Sequence, residues 1–214
     1  MNGSASAPGP LQPHIHQCSA IYAGAKLEHT IRNFANEGYR YLAPKDASRW
    51  ERVYGDDRLP TTSSIQSELE DHGFFAVIYD PQDDTTPIAC AATAPWKGDL
   101  ESYATPGGCE TGWEIKIVTT KVGWMGSGLA GRCIDAIIEE LVRLERKSGC
   151  TSEKKLKVWV HTVECLNGAY WKKKGWEEVR AYKKPSGHWG SKEGYRLVVL
   201  LRTFDIPPVD ESSF

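Results

Sequence analysis

Hydrophobic residues recur along this chain with two periods, and the place where one gives way to the other divides it. Between Lys26 and Asn36, Leu27, Ile31, Phe34 and Ala35 fall on one helical face, which predicts an amphipathic helix. A short helix is expected over Ala47 to Tyr54. Ser63 followed by Gln66 has the spacing of a capping box opening a helix to about Asp71, with His72 and Gly73 ending it. From Phe74 the period shortens. FFAVIYD (74–80) and PIACAATAPW (87–96) are apolar, β-prone runs joined by the polar turn PQDDTT, so they read as an antiparallel hairpin. A loop rich in Gly, Pro and acidic residues spans Lys97 to Gly112, and a strand follows from Trp113 to Thr119.

After the segment MGSG, Ala130, Cys133, Ile134, Ile137, Ile138, Leu141 and Leu144 give the 3,4 spacing of a buried helical stripe running to about Lys147. Next come a strand from Lys155 to His161 and a helical segment from Glu164 to Lys174 closed by Gly175. Strand WEEVRAY (176–182), the turn KKPSGHWGSKEG and a last strand from Tyr195 to Phe204 complete the chain. Hairpin, strand, helix, strand, helix, hairpin is the order of an α/β fold with a sheet of mixed direction.

With 214 residues, 40% hydrophobic and 25% charged, the chain is expected to form one globular domain over residues 14–206, between a loose tail at 1–13 and an irregular tail at 207–214. A formal net charge of -2 lacks the basic excess that general nucleic-acid binding uses, so no DNA or RNA partner is expected. Six cysteines without a CxxC pair fit a reduced compartment. No segment approaches the roughly 18 apolar residues of a membrane span, and the start MNGSASAPGPLQP lacks the pattern of a signal peptide. A soluble cytoplasmic protein, monomer or homodimer, is the expectation. His14, His16 and Cys18 alternate, but no second ligand cluster accompanies them, so they read as a strand end or arm rather than a metal site.

The glycine-broken turn MGSGLAG lies between an apolar strand and the long helix. Gly126, Gly128 and Gly131 let the backbone approach a ligand, and the first-turn amides and helix dipole suit a phosphate or pyrophosphate. A nucleoside-triphosphate P-loop wants Lys and Ser or Thr after its last glycine, whereas Leu129 and Ala130 follow Gly128 here. A dinucleotide fold wants its glycines after the first strand of a βαβ series, whereas these come past the middle of the chain. A helix entry without ligand is the remaining alternative.

The glycine turn, the strands on either side and the segment AYWKKKGWEEV together resemble the core of the GNAT superfamily of acyl-CoA-dependent N-acyltransferases, over roughly Phe74 to Phe204. Gly128-Leu129-Ala130 matches the end of the family's Arg/Gln-x-x-Gly-x-Gly/Ala pattern. Tyr170 or Trp171 with Gly175-Trp176 matches its second signature. Met125 stands where the family has Arg or Gln, and Trp171 where it usually has Tyr.

The resemblance implies a GNAT fold, a central mixed and largely antiparallel sheet flanked by helices, with acetyl-CoA as cofactor. It implies a coenzyme seat made by Met125, Gly126, Ser127, Gly128, Leu129 and Ala130. The strand edge at Ile117, Val118 and Thr119 would pair with pantetheine, and an N–H at Val118 or Thr119 would face the thioester oxygen. Asn167 and the run Lys172 to Lys174 are further coenzyme candidates, against a plain helix surface and a solvated helix end. Tyr170 is the candidate proton donor to the thiol, against a Tyr packed between helix and sheet.

Acyl transfer to an amine needs a base, since an alkylamine is mostly protonated at neutral pH. Glu114 is the first candidate, on the strand entering the glycine turn. The alternation of WEIKIV sets it and Lys116 on the face opposite Ile115 and Ile117. His161, ending the next strand, is the second. Trp96, Tyr103 and Trp113 border a loop bearing Asp99, Glu101 and Glu110, a combination suited to a cationic small-molecule amine on an apolar body. Core packing is the alternative, favoured for Trp113 and Trp176 but not for Trp96. No Cys has a close His partner in a recognisable pattern, so direct transfer in a ternary complex is expected, with Cys165 packed beside the helix. The rival function is a non-catalytic acyl-CoA-binding or protein-interaction module.

Overall fold

The computed structural model describes residues 11–51, 57–98, 110–147 and 155–207. Seven strands form one sheet: β1 (His14–Gln17), β2 (Phe74–Asp80), β3 (Asp83–Pro95), β4 (Trp113–Thr120), β5 (Lys155–Val163), β6 (Glu177–Lys184) and β7 (Tyr195–Asp205), in the order β1-β2-β3-β4-β5-β7-β6. Every neighbouring pair is antiparallel except β4 and β5. A parallel pair needs a long crossover, and α4 (Leu129–Lys147) lies within it.

The helices lie on two faces. Cys133, Ile137 and Leu141 of α4 bury against Ala76, Ile78, Ile115, Val158, Val160, Val198 and Leu200, and α5 (Ala169–Lys173) adds Trp171 to this cluster. The stripe predicted for the long helix is therefore its buried face. On the other side α1 (Cys18–Ala23), α2 (Ala25–Arg40) and α3 (Ser64–Leu69) cover Phe75, Val77, Cys90, Ala92 and Ile117 with Ile21, Ile31, Phe34, Ile65 and Leu69. No described helix is long and apolar enough to cross a membrane.

Local expectations fail where tertiary contacts take over. Ser63 makes no capping bond; instead the Ser64 hydroxyl accepts from the Thr61 N–H at 2.9 Å. The expected helix from Ala47 is absent up to Glu51, where the described stretch stops. A 3₁₀ turn at Pro44–Asp46 leads instead to an isolated bridge between Trp50 and Ser191, and the Trp50 indole buries against Tyr195 and Leu197. Glu164–Gly168 is a π turn preceding α5, and Cys165 on it is exposed rather than packed.

One strand distortion positions the functional region. Ile117 sits at φ 53°, an outlier for a β-branched residue. Pairing of β3 with β4 slips there, between Cys90 opposite Thr119 and Ala92 opposite Lys116. The bulge inserts a residue, so Ile115 points into the α4 cluster while Ile117 points among α1 to α3. Strict alternation, which set both on one face, stops at this point. Beyond Trp113–Val158 and Glu114–Trp159, β4 and β5 share no ladder partners, and the seam opens into a fork.

On the α2 side of the fork a glycine is obligatory. A Cβ at Gly38 would fall 1.7 Å from Thr119 Oγ1 and 2.6 Å from its Cβ. Alanine favours helices over glycine by about 1 kcal/mol, yet Gly38→Ala is expected to destabilise the protein by about 1–3 kcal/mol through overpacking. Urea denaturation of parent and variant checks the sign; an unchanged or higher midpoint refutes the contact.

Candidate functional site

The glycine turn of the fork opens α4. Gly126 and Gly128 take φ 81° and 84°, and a Cβ on either would meet no atom within 4 Å. Backbone bonding of the helix starts at Arg132 N–H to the Gly128 carbonyl, 3.2 Å, so the amides of Leu129, Ala130 and Gly131 precede the first intrahelical bond. The Ser127 hydroxyl donates to the Trp124 carbonyl. Free amides, a positive dipole end and open space fit a pyrophosphate.

Residues of α5 reach this turn. A Cβ at Gly131 would lie 3.5 Å from Lys174 Nζ and 3.7 Å from Tyr170 Oη. Lys174 is thus the member of the basic run at the seat, since Lys172 bonds Glu164 (3.0 Å) and Glu178 (3.1 Å). Burial, then the charge of Asp135, pushes the Tyr170 phenol up, so it keeps its proton at neutral pH. Trp171 is buried against Trp176, ring centroids 5.1 Å apart, within the α4 cluster. Asn167 is exposed on the turn after β5.

Across the sheet, the two base candidates meet. Glu114 Oε1 lies 2.8 Å from His161 Nδ1. Register explains the contact: Glu114 pairs with Trp159, and His161 follows two residues later on the same face. Burial pushes the Glu114 carboxyl up, but the His161 hydrogen bond and the Lys116 ammonium outweigh it and hold the group below its ordinary range. An ionised carboxylate only accepts hydrogen bonds, so Nδ1 carries the proton and neutral His161 keeps its lone pair on Nε2. Nε2 is buried and has no hydrogen-bond partner among the described residues. The two base candidates therefore form one carboxylate–imidazole pair, both largely buried, with the Glu114 side chain 15% and the His161 side chain 9% exposed.

A charged chain continues from Glu114. Lys116 Nζ lies 3.6 Å from Glu114 and 2.7 Å from Glu68, and Glu68 lies 2.5 Å from Arg58. The Asn36 amide fixes Arg58's neighbour by bonding both the carbonyl (2.9 Å) and N–H (2.8 Å) of Leu59. These contacts join residues far apart in the chain, and no local signal marks them.

The tryptophans separate. Trp113 packs on Phe74 at 6.5 Å and points its Nε1 at Glu145 on α4, on the face away from Glu114. Trp96 is buried, not open as its loop entry suggested, because one ring spans Trp159 at 4.8 Å and His161 at 5.1 Å. Tyr103, Asp99 and Glu101 lie outside the described residues. At the backbone of the fork, Thr119 is buried against Gly38 and Val118 is half-buried on the α4 side. Cys90 Sγ reaches the Ile117 carbonyl at 3.6 Å, a support for the bulge that the sequence does not reveal.

No family model and no curated protein matches the sequence. Solved structures do match in fold. Arabidopsis thaliana NAA60 in complex with acetyl-CoA aligns with a TM-score of 0.55 at 12% identity, covering 91% of this chain and 99% of that one. A GCN5-related N-acetyltransferase from Kribbella flavida gives 0.51 at 13%, covering 90% and 98%. An aminoglycoside 6'-N-acetyltransferase complexed with coenzyme A gives 0.51 at 11%, covering 92% and 99%. At this identity the shared property is the fold, and the fold is that of the GNAT proteins.

The charged chain has a pH signature. Burial raises the Glu68 carboxyl, but Arg58 and Lys116 overcome this and bring it from 4.5 to about 2. The stabilisation from ionised Glu68 is full above the unfolded value near 4.5 and disappears as pH falls through about 2. Glu68→Gln is expected to cost about 3 kcal/mol at pH 7. The difference from parent should shrink steadily below pH 4.5. Denaturant titrations at pH 7, 4 and 3 measure it, and a pH-independent difference refutes the pairing.

Proposed function

We propose that this chain, which has the GNAT fold, is an acetyl-CoA-dependent N-acetyltransferase that acts on a small-molecule primary amine by direct transfer in a ternary complex. The observation that carries this reading is the division of labour across the β4–β5 fork. Open helix-entry amides lie on one side, and a histidine oriented by a carboxylate, with one nitrogen unpartnered among the described residues, lies on the other. The acetyl-CoA and coenzyme A in neighbouring GNAT structures support the choice of cofactor.

The amides of Gly126, Gly128, Leu129 and Ala130 would hold the coenzyme pyrophosphate, with Met125 and Ser127, whose N–H groups bond the Val122 and Trp124 carbonyls, shaping the turn and Lys174 adding positive charge. The unpaired edge of β4 at Ile117, Val118 and Thr119 would receive the pantetheine amides as an added strand, beside Asn167. When bound, acetyl-CoA supplies an acetyl group already activated as a thioester.

The protein's own part is proton handling. His161 Nε2 accepts the proton that an ammonium acceptor must lose before its lone pair is exposed, and Glu114 holds the ring and balances the charge that develops. Tyr170 retains its hydroxyl proton on the α4 side and serves as a hydrogen-bond donor there; as the C–N bond forms and the C–S bond breaks, the second proton lost by the attacking nitrogen goes to the departing thiolate, which leaves as the thiol of coenzyme A. An acyl-cysteine route has little support among the described thiols. Burial pushes the Cys90 thiol well up and the Cys133 thiol up to about 12, so both stay protonated.

Calorimetry with acetyl-CoA tests the seat. Gly128→Arg, which strains a positive-φ position and fills the open cradle, should weaken binding at least about a hundredfold. Equal affinity in parent and variant moves the seat elsewhere. For the base, His161→Gln should lower kcat by roughly 10²–10⁴-fold and Glu114→Gln by less, with coenzyme affinity kept, in a thiol-release assay over a panel of amines. Tight binding without turnover of any amine selects the non-catalytic module, which the Met125 and Trp171 departures allow.

A further inference from the structure

A hydrogen bond to Nδ1 fixes one direction of an imidazole but leaves the ring free to swing about that bond, because histidine's outer torsion is soft. In this protein the second constraint comes from an indole. The Trp96 ring lies over His161 with centroids 5.1 Å apart and planes 24° from parallel, and over Trp159 at 4.8 Å and 10°. It is tethered at both ends. Its backbone N–H donates to the Gly112 carbonyl (2.9 Å), and its Nε1 donates to Glu110 Oε2 (3.1 Å). Arg180 of β6 grips Glu110 through both guanidinium nitrogens, at 2.6 and 2.7 Å, while its Cζ sits 5.7 Å from the Trp159 ring centroid. Trp159 in turn donates from Nε1 to the Thr111 carbonyl at 3.0 Å.

We propose that Trp96, tethered through Glu110 to Arg180, is a positioning residue that holds the plane of the His161 ring so that Nδ1 stays on Glu114 and Nε2, buried in this structure, keeps one fixed direction for the acceptor's proton. The inference rests on the functional reading above. The hydrogen bond supplies direction and the stack supplies plane, so the imidazole has one orientation and one neutral tautomer. The charged groups around His161 are Glu114 and Lys116 from β4, Glu110 from the segment before it, and Arg180 from β6 through Glu110. Trp96 then serves the acceptor indirectly, since its ring is buried and stacked on residues of β5.

The test combines two measurements on the full chain. ¹H–¹⁵N spectroscopy of the imidazoles in the ligand-free protein should show a single Nδ1–H tautomer for His161 in the parent. Trp96→Leu should give averaged tautomers. Trp96→Phe, which keeps a ring over His161 but loses the Glu110 tether, and Glu110→Gln, which loosens the Arg180 grip, should fall between. In turnover, Trp96→Leu should lower kcat about tenfold with the KM for acetyl-CoA unchanged, and Trp96→Phe should recover part of the loss. A His161 tautomer and kcat unaltered in all three folded variants overturns the proposal. The imidazole spectra need no turnover, so they judge the positioning role even if the protein acetylates no amine, an outcome that would count against the functional reading alone.

Discussion

The bulge at Ile117 governs how the rest of the molecule is used. A strand that kept its alternation would continue pairing with β5 and close the sheet. Here a β-branched residue is held at positive φ, a conformation costing about 1–3 kcal/mol that persists only when its surroundings over-determine it. Three neighbours do so. The Cys90 thiol reaches the Ile117 carbonyl, the Ile117 side chain is buried among α1 to α3, and Gly38 lets α2 come down on Thr119 with no room for a Cβ. The strain is exchanged for a strand edge whose amides are available to a ligand in the middle of a folded core.

The fork then sorts chemistry by face. On the α4 side the helix entry suits negative charge, with glycines that have open space above them and Lys174 at the end of α5. On the other side the charges are arranged to cancel. Glu114, Lys116, Glu68 and Arg58 alternate in sign along one chain of contacts. Burying either carboxylate without its cation would be costly. Lys116 serves both, so Glu114 stays ionised without withdrawing from His161. The Glu114–His161 pair thus adjoins a neutral network rather than an isolated charge.

Much of the fold is legible in the sequence because the informative elements are long and strongly periodic. The stripe from Ala130 to Leu144 and the runs at Phe74, Lys155 and Tyr195 predict α4, β2, β5 and β7 almost to the residue. The glycine pattern likewise points to the α4 entry. What is illegible depends on contacts between distant positions. Nothing local distinguishes Ile117 from Ile115, and propensity argues against the conformation Ile117 adopts. Glu114 and His161 are each recognisable as candidates, but their pairing spans 47 positions and follows from parallel register alone. Trp50 leaves its expected helix because Tyr195 and Leu197 offer it a buried site.

The exchange of Tyr and Trp at positions 170 and 171 shows how much a motif departure can leave intact. Trp171 occupies the inward position and contributes only bulk to the α4 cluster, stacked edge-on against Trp176. The phenol displaced from that position is not lost, because Tyr170, one residue earlier, brings its hydroxyl to the first turn of α4 beside Gly131 and Lys174. Its location changes what it can do. A phenol over the helix entry stands beside the Lys174 ammonium, two donors at the positive end of α4. The Glu114–His161 pair lies on the other face of the sheet. Its geometry is set by parallel register and is independent of the aromatic signature that makes the fold recognisable.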